Sequence, residues 1–144
     1  MIRKSAKLDE SIPSSLRNIE GAVRRVAGFL EENSDCRKLE NIQAALREAV
    51  SNAMRHGNHS DPEKCVRLTV EIEEGGGITI VVKDSGSGFD PAKLPDPTEG
   101  DNIYRESGRG VYLIRHLMDR VEYQFGEGTA LIMHVHRPKS PEVG

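Results

Sequence analysis

The hydrophobic period of this chain changes once, from 3.6 to 2, and that change decides what it can fold into. Before Gly57, apolar residues recur at helical spacing: Leu16, Ile19, Val23, Ala27 and Leu30 in one segment, then Ile42, Leu46, Ala49, Val50 and Ala53 in a second that runs from about Lys38 to His56. Ser14 and Ser15, after Pro13, mark the first helix start, Asn33-Ser34-Asp35 offers a break and a new N-cap, and Gly57 offers a C-terminal stop. Beyond it, Val66, Leu68, Val70 and Ile72 alternate with Arg67, Thr69, Glu71 and Glu73, the pattern of a strand with one covered face. Gly75-Gly76-Gly77 turns the chain into a return strand carrying Ile78, Ile80 and Val82, and the next residue in that phase is Asp84. A Pro- and Gly-rich loop (Ser85 to Ser107) leads to a short helix with Val111, Ile114, Leu117 and Met118 inward. Two strands close the chain, Val121 to Phe125 and Thr129 to Arg137, joined by Gly126-Glu127-Gly128. The first dozen residues read as an edge strand. Two helices, a hairpin, a helix and a hairpin predict an α+β fold: a two-layer sandwich of a mixed, mostly antiparallel sheet with helices on one face.

At 144 residues the chain suits a single domain over 1–144, with its core in about 10–137. Twenty Lys and Arg against 23 Asp and Glu, with no clustered basic tract, argue against a nucleic-acid surface. The longest β-branched run, Ile78 to Val82, is too short to cross a bilayer, and charges stand where a signal peptide needs an apolar stretch. Two cysteines, Cys36 and Cys65, make neither a disulfide framework nor a structural zinc site. The expectation is a cytoplasmic protein that touches neither nucleic acid nor membrane.

Four places carry chemistry. Glu48 and Asn52 lie four apart on the second helix and point the same way, off the apolar stripe and beside the small residues Ala44, Ala45 and Ala49. A carboxylate and a carboxamide there suit a general base and an oxygen ligand for a hard cation, or simply a solvated helix face. Asp84 falls on the covered face of its strand, where an unpaired carboxylate is costly, so a partner or a ligand amino group must satisfy it. Gly86 and Gly88 follow in Asp84-Ser85-Gly86-Ser87-Gly88, and permit close backbone approach; an Asx-capped strand end would look the same. Ser107-Gly108-Arg109-Gly110 opens the third helix as an anion site, with Arg105 and Arg109 available to phosphate, or as a glycine-assisted helix start. Thr129 shares the inward phase of Leu131, Met133 and Val135, as a ligand contact or as a packed β-branched residue. The glycines lack the third position of a dinucleotide fingerprint and form no P-loop. His56 with His59, or His134 with His136, could suggest a metal-dependent hydrolase, but no third ligand stands at a diagnostic spacing.

The order of these groups is more specific than any one of them. Glu48-Ala49-Val50-Ser51-Asn52-Ala53-Met54-Arg55-His56-Gly57, then Asp84-Ser85-Gly86-Ser87-Gly88, then Ser107-Gly108-Arg109-Gly110, then Gly128-Thr129, resembles the N, G1 and G2 boxes and the adenine-side threonine of the GHKL ATP-binding superfamily. Within it, the chain looks most like the stand-alone anti-sigma-factor serine/threonine kinases. The resemblance implies a Bergerat-type ATP-binding fold over about 10–137. It implies that Asp84, supported by Thr129, binds the adenine amino group, that Gly86 and Gly88 pass close to the nucleotide, and that Asn52 holds Mg²⁺. It implies that Gly108 and Gly110 cradle the phosphates of ATP with Arg105 near the γ-phosphate, and that Glu48 orients or deprotonates the attacking hydroxyl. The segment from Pro91 to Ser107 matches the family's ATP lid. The partners implied are an anti-sigma-factor antagonist as phospho-acceptor, a sigma factor, and a second copy of the chain as homodimer. The alternatives are a non-catalytic ATP-dependent protein-binding module and the catalytic domain of a histidine kinase, though no helix pair with a phospho-acceptor histidine is present.

Overall fold

The computed structural model describes residues 5–86 and 111–136. Five strands form one sheet: β1 (Ala6–Pro13), β2 (Cys65–Ile72), β3 (Ile78–Lys83), β4 (Arg120–Gly126) and β5 (Gly128–Val135). Their spatial order is β1-β2-β3-β5-β4, and every described pairing is antiparallel, so the mostly antiparallel sheet expected is wholly so here. The alternation read from sequence sets the faces. Val66, Leu68, Val70 and Ile72 are buried on the inner face of β2, with Ile78, Ile80 and Val82 beside them on β3. That face is covered by α1 (Ile19–Asn33) and α2 (Leu39–Asn52), and Ile114 and Met118, from the helical stretch 111–117 (α3) and the residue after it, complete the core. Each fully buried Leu or Ile, such as Leu30 or Leu46, contributes about 1.5–3 kcal/mol through removal from water.

The weak first strand is real, and it is an edge. β1 pairs with β2 from Ala6↔Ile72 to Pro13↔Cys65. Glu10 points from it toward α1, where Arg25 Nε donates to its Oε1 at 2.7 Å. An inward charge of this kind discourages a second chain from adding to the edge.

Several local expectations change. Leu16 does not open α1: it sits in a 3-10 turn (Leu16–Asn18) and is 55% exposed. Ser14 is no helix cap but is 3% exposed, with its hydroxyl donating to the Lys64 carbonyl at 2.6 Å. This bond holds the end of β1 to the start of β2 and delays the helix by one turn. α2 begins after Lys38, whose side chain makes no cap bond, three residues beyond the Asp35 expected to open it. At its far end α2 widens into a π turn, Ala53–Gly57, rather than stopping on a left-handed glycine: among the described glycines only Gly76 and Gly128 have positive φ.

Candidate functional site

The phase of β3 delivers Asp84 to the covered face one residue past the strand, 6% exposed. Its Oδ1 accepts two backbone N–H bonds, from Gly86 at 3.0 Å and from Thr129 at 3.1 Å. Its own N–H donates to the Thr129 carbonyl at 3.0 Å, tying the ends of β3 and β5 together. None of the described residues donates to Oδ2. A buried carboxylate needs donors, and here one oxygen has two while the other keeps its acceptor capacity for something else. The support expected from Thr129 comes through its backbone.

The backbone closes around this carboxylate. A Cβ on Gly57 would fall onto the Asp84 side chain, and a Cβ on Gly86 would fall onto the Gly57 carbonyl. The π turn at the end of α2 is what brings Gly57 there; such turns occur often at functional sites. Gly128, at φ +82°, approaches from β5, where a Cβ would stand 3.0 Å from Oδ1. Gly86 is therefore required first by another stretch of the chain itself. Gly57, taken from the sequence as a helix stop, is a close-approach glycine instead.

A second residue that the sequence did not reveal stands next to it. Asn58 is fully buried, and every hydrogen-bonding group of its side chain is used. Oδ1 accepts from the Ser85 N–H at 2.8 Å and from the Ser85 hydroxyl at 3.3 Å. Nδ2 donates to Ser14 Oγ at 2.9 Å and to the Cys65 carbonyl at 3.2 Å. The partners fix the amide's orientation, because an N–H and a carbonyl demand opposite ends of it. After Asn58 the chain turns through His59 and Ser60, both left-handed at φ 53° and 56°. Two such residues in a row cost of order 1–3 kcal/mol each, which the buried network offsets. An asparagine after a glycine reads as an ordinary loop in sequence; only partners 27 and 44 residues away identify it.

Glu48 and Asn52 are half-buried near the C-terminal end of α2, and neither side chain has a hydrogen-bond partner among the described residues. Asn52 is the last residue before the π turn, so one turn of chain separates it from Gly57. The clearing expected beside them is only partly present. Ala44 is half-buried, but Ala45 and Ala49 belong to the core, where small residues let α2 lie close to its neighbours. The structure thus brings together Asp84, Gly86 and Thr129 around one carboxylate and leaves Glu48 and Asn52 unengaged on the helix that leads to it. Gly88, Arg105, Gly108, Arg109 and Gly110, with the lid segment Pro91 to Ser107, lie outside the described residues.

The arrangement suits a planar ligand that presents a hydrogen-bond donor to Oδ2. A nucleobase amino group is such a donor, and the lack of side chains at Gly57, Gly86 and Gly128 is what lets the backbone pack this closely around the carboxylate. Asn52 supplies a neutral oxygen of the kind Mg²⁺ accepts alongside phosphate oxygens and water. Among the described residues no group of three His, Cys, Asp or Glu could hold a metal. His134 instead meets the Thr79 hydroxyl through Nδ1 at 3.3 Å and lies 3.8 Å from Glu122. No helix among the described residues is long and apolar enough to cross a membrane.

Comparison with known proteins bears on these observations. Residues 12–135 match the histidine kinase-like ATPase domain. The chain is 33% identical over 134 residues to the anti-sigma F factor of Priestia megaterium, covering 88% of this chain and 90% of the relative. It is 34% identical over 108 residues to that of Geobacillus thermodenitrificans, covering 72% and 73%. Its fold is similar to the crystal structure of the RsbU and RsbW domains of Rv1364c from Mycobacterium tuberculosis, with a TM-score of 0.67 over 92% of this chain and 33% of that one. It is also similar to the SiaB-SiaC complex from Pseudomonas aeruginosa, at 0.61 over 89% and 88%. At 17% and 16% identity these two structures speak to the fold alone.

Proposed function

The chain belongs to the histidine kinase-like ATPase domain family, and on that premise we propose that it is an ATP-dependent serine/threonine protein kinase and anti-sigma factor. It phosphorylates an anti-sigma-factor antagonist and so controls a sigma factor by partner switching. The observation that carries this reading is the setting of Asp84: a covered carboxylate with one oxygen held by two amides and the other without a donor among the described residues. The match to the anti-sigma F factor of Priestia megaterium, over 88% of this chain and 90% of the relative, supports the partner class. In this reading the chain is a single cytoplasmic domain over 1–144 that works as a homodimer.

The residues divide the work. Asp84 Oδ2 accepts a hydrogen bond from the adenine amino group and selects adenine. Gly86 and Gly88 keep the adjoining backbone low, and Thr129 steadies Asp84 from β5. Asn52 holds Mg²⁺ through its side-chain oxygen. Gly108 and Gly110 give free N–H groups to the phosphates, with Arg105 and Arg109 adding guanidinium contacts. ATP is the source of the transferable phosphoryl group, and Mg²⁺ held by Asn52 would neutralise its charge. Glu48 accepts the proton of the antagonist's hydroxyl as its oxygen bonds to phosphorus and the bond to the leaving diphosphate breaks. Because such transfer depends mainly on positioning and charge neutralisation, loss of Glu48 hurts rate more than binding.

The test is a thermal melt with and without Mg-ATP on the parent, Asp84→Asn and Glu48→Ala. Ligand at a hundredfold over its Kd adds about 2.7 kcal/mol, a shift of several degrees for a domain of this size. The parent and Glu48→Ala shift; Asp84→Asn does not. Phosphate transfer from labelled ATP to the antagonist then separates the parent from Glu48→Ala. A melting shift with no transfer by the parent would leave a non-catalytic ATP-dependent binding module.

A further inference from the structure

We propose that Asn58 is a positioning residue for base selection: through its side-chain oxygen it fixes the Asp84–Ser85 peptide, and so aims the Asp84 carboxylate at the 6-amino group of the base. The inference rests on the adenine reading above and adds to it a residue that does not touch the nucleotide.

Asp84 stands just past the last paired residue of β3, Lys83 opposite Ala130. Its carboxylate direction depends on the Gly86 and Thr129 amides that bond Oδ1 and on the two peptides that flank it. The preceding one is held by the bond from Asp84 N–H to the Thr129 carbonyl. The following one, Asp84–Ser85, is held by Asn58 Oδ1, which accepts the Ser85 N–H at 2.8 Å. Asn58 is itself immobile. Its Nδ2 is anchored to Ser14 and Cys65, its N–H donates to Ala53 at 2.9 Å, and its carbonyl accepts from Asp61 at 3.0 Å. Ser14 is held in turn by the Lys64 carbonyl. A fully satisfied, fully buried amide of this kind is a rigid bracket between the β1–β2 corner and the ligand-facing loop. It also stands one residue after Gly57, whose bareness the same carboxylate requires. One short segment therefore clears space for Asp84 and aims it.

A purely structural Asn58 would affect stability alone, or every nucleotide equally. A positioning Asn58 affects the part of the affinity that depends on the amino group. The measurement is the ratio of Kd values for ATP and for purine riboside triphosphate, which lacks the 6-amino group, in the full chain with Mg²⁺. The parent favours ATP. In Asn58→Ala the preference falls about tenfold, with the analogue's Kd within about twofold of the parent's. Ser14→Ala, which removes a contact on the far side of Asn58 and leaves Oδ1 on Ser85, lowers Tm and keeps the preference. An unchanged preference in Asn58→Ala, or an equal loss for both nucleotides, overturns the proposal. So does an equal fall in the preference in Ser14→Ala, which would make it a consequence of loosening alone. A parent that binds both nucleotides equally overturns the adenine reading itself, a result distinct from either. Should Asn58→Ala not fold, the parent decides by NMR. ATP displaces the Asn58 side-chain amide resonances and the analogue leaves them in place; equal displacement by both overturns the proposal.

Discussion

The two long helices are alike in length and in apolar patterning and differ in how they end. α1 and α2 have 15 and 14 residues, and each lays one apolar stripe on the sheet. α1 ends simply: the Ser34 N–H and hydroxyl both donate to the Leu30 carbonyl, at 2.9 and 2.6 Å, and the chain leaves. α2 ends by widening into a π turn that carries Gly57 against Asp84 and Asn58 into a buried network. A helix that only packs can stop where a local cap is available. A helix that serves a site must stop where a distant partner needs it, and it accepts irregular backbone to do so.

Three measurements break or sharpen this contrast. The largest effect belongs to the packing helix. Leu30→Ala empties a fully buried position on α1 and lowers stability by about 2–5 kcal/mol, while the Mg-ATP shift in Tm is retained. Loss of that shift in a variant that is still folded would show that α1 also serves the site.

Next comes a matched pair of glycines. Gly57→Ala forces a methyl onto the Asp84 carboxylate, costs about 1–3 kcal/mol and removes the Mg-ATP shift. Gly28→Ala on α1 meets nothing within 4 Å and raises stability by about 0.5–1 kcal/mol, with the shift intact. The same substitution has opposite signs on the two helices. Equal effects in a pair of urea titrations would refute the assignment of Gly57 to the site.

The smallest effect is an acid one, at the start of α2. Lys38 Nζ lies 2.9 Å from Asp119 Oδ1, and the His136 N–H donates to Oδ2 at 2.8 Å. Partial burial pushes the Asp119 carboxyl up, but the Lys38 ammonium and the His136 amide outweigh it, and the group titrates below its ordinary value of 3.8. A carboxyl depressed in the folded state adds stability that is complete above the ordinary value and vanishes as pH falls through the lower folded one. The parent should therefore exceed Asp119→Asn by about 0.2–1 kcal/mol near neutrality, and the two should converge as pH falls through the lowered folded value. A constant difference across that range would mean that the contact acts through packing rather than charge.

What could be read from sequence follows the same division. The covered faces of β2 and β3 follow from alternation, and continuing it one step places Asp84 correctly. Those features depend on residues two or four apart. Gly57 meets Asp84, 27 residues away, and Asn58 bonds Ser85 and Ser14, 27 and 44 residues away, so no local period marks them. Leu16 shows the converse error: the helical spacing extends back to it, but the Ser14 bond to Lys64 holds the chain in a turn there and turns the side chain outward. Ala45 and Ala49 looked like cleared space beside Glu48 because smallness alone does not say whether a neighbour fills the gap. Asn52 and Glu48 were legible as a pair by their spacing, and their lack of partners among the described residues fits a face kept for a ligand.

The pairing of β1 also sets an order of events in folding. Asp9 reaches Arg67, its salt-bridge partner diagonally across the β1–β2 pair, from 58 residues away, whereas β2 and β3 are joined by a tight glycine turn. Closing the longer loop costs more chain entropy, so the β2–β3 hairpin is expected to form ahead of the β1–β2 pairing. Until β1 docks, β2 has an open edge and Asn58 lacks Ser14. The setting of Asp84 is thus complete only once the first strand has taken its place on the sheet.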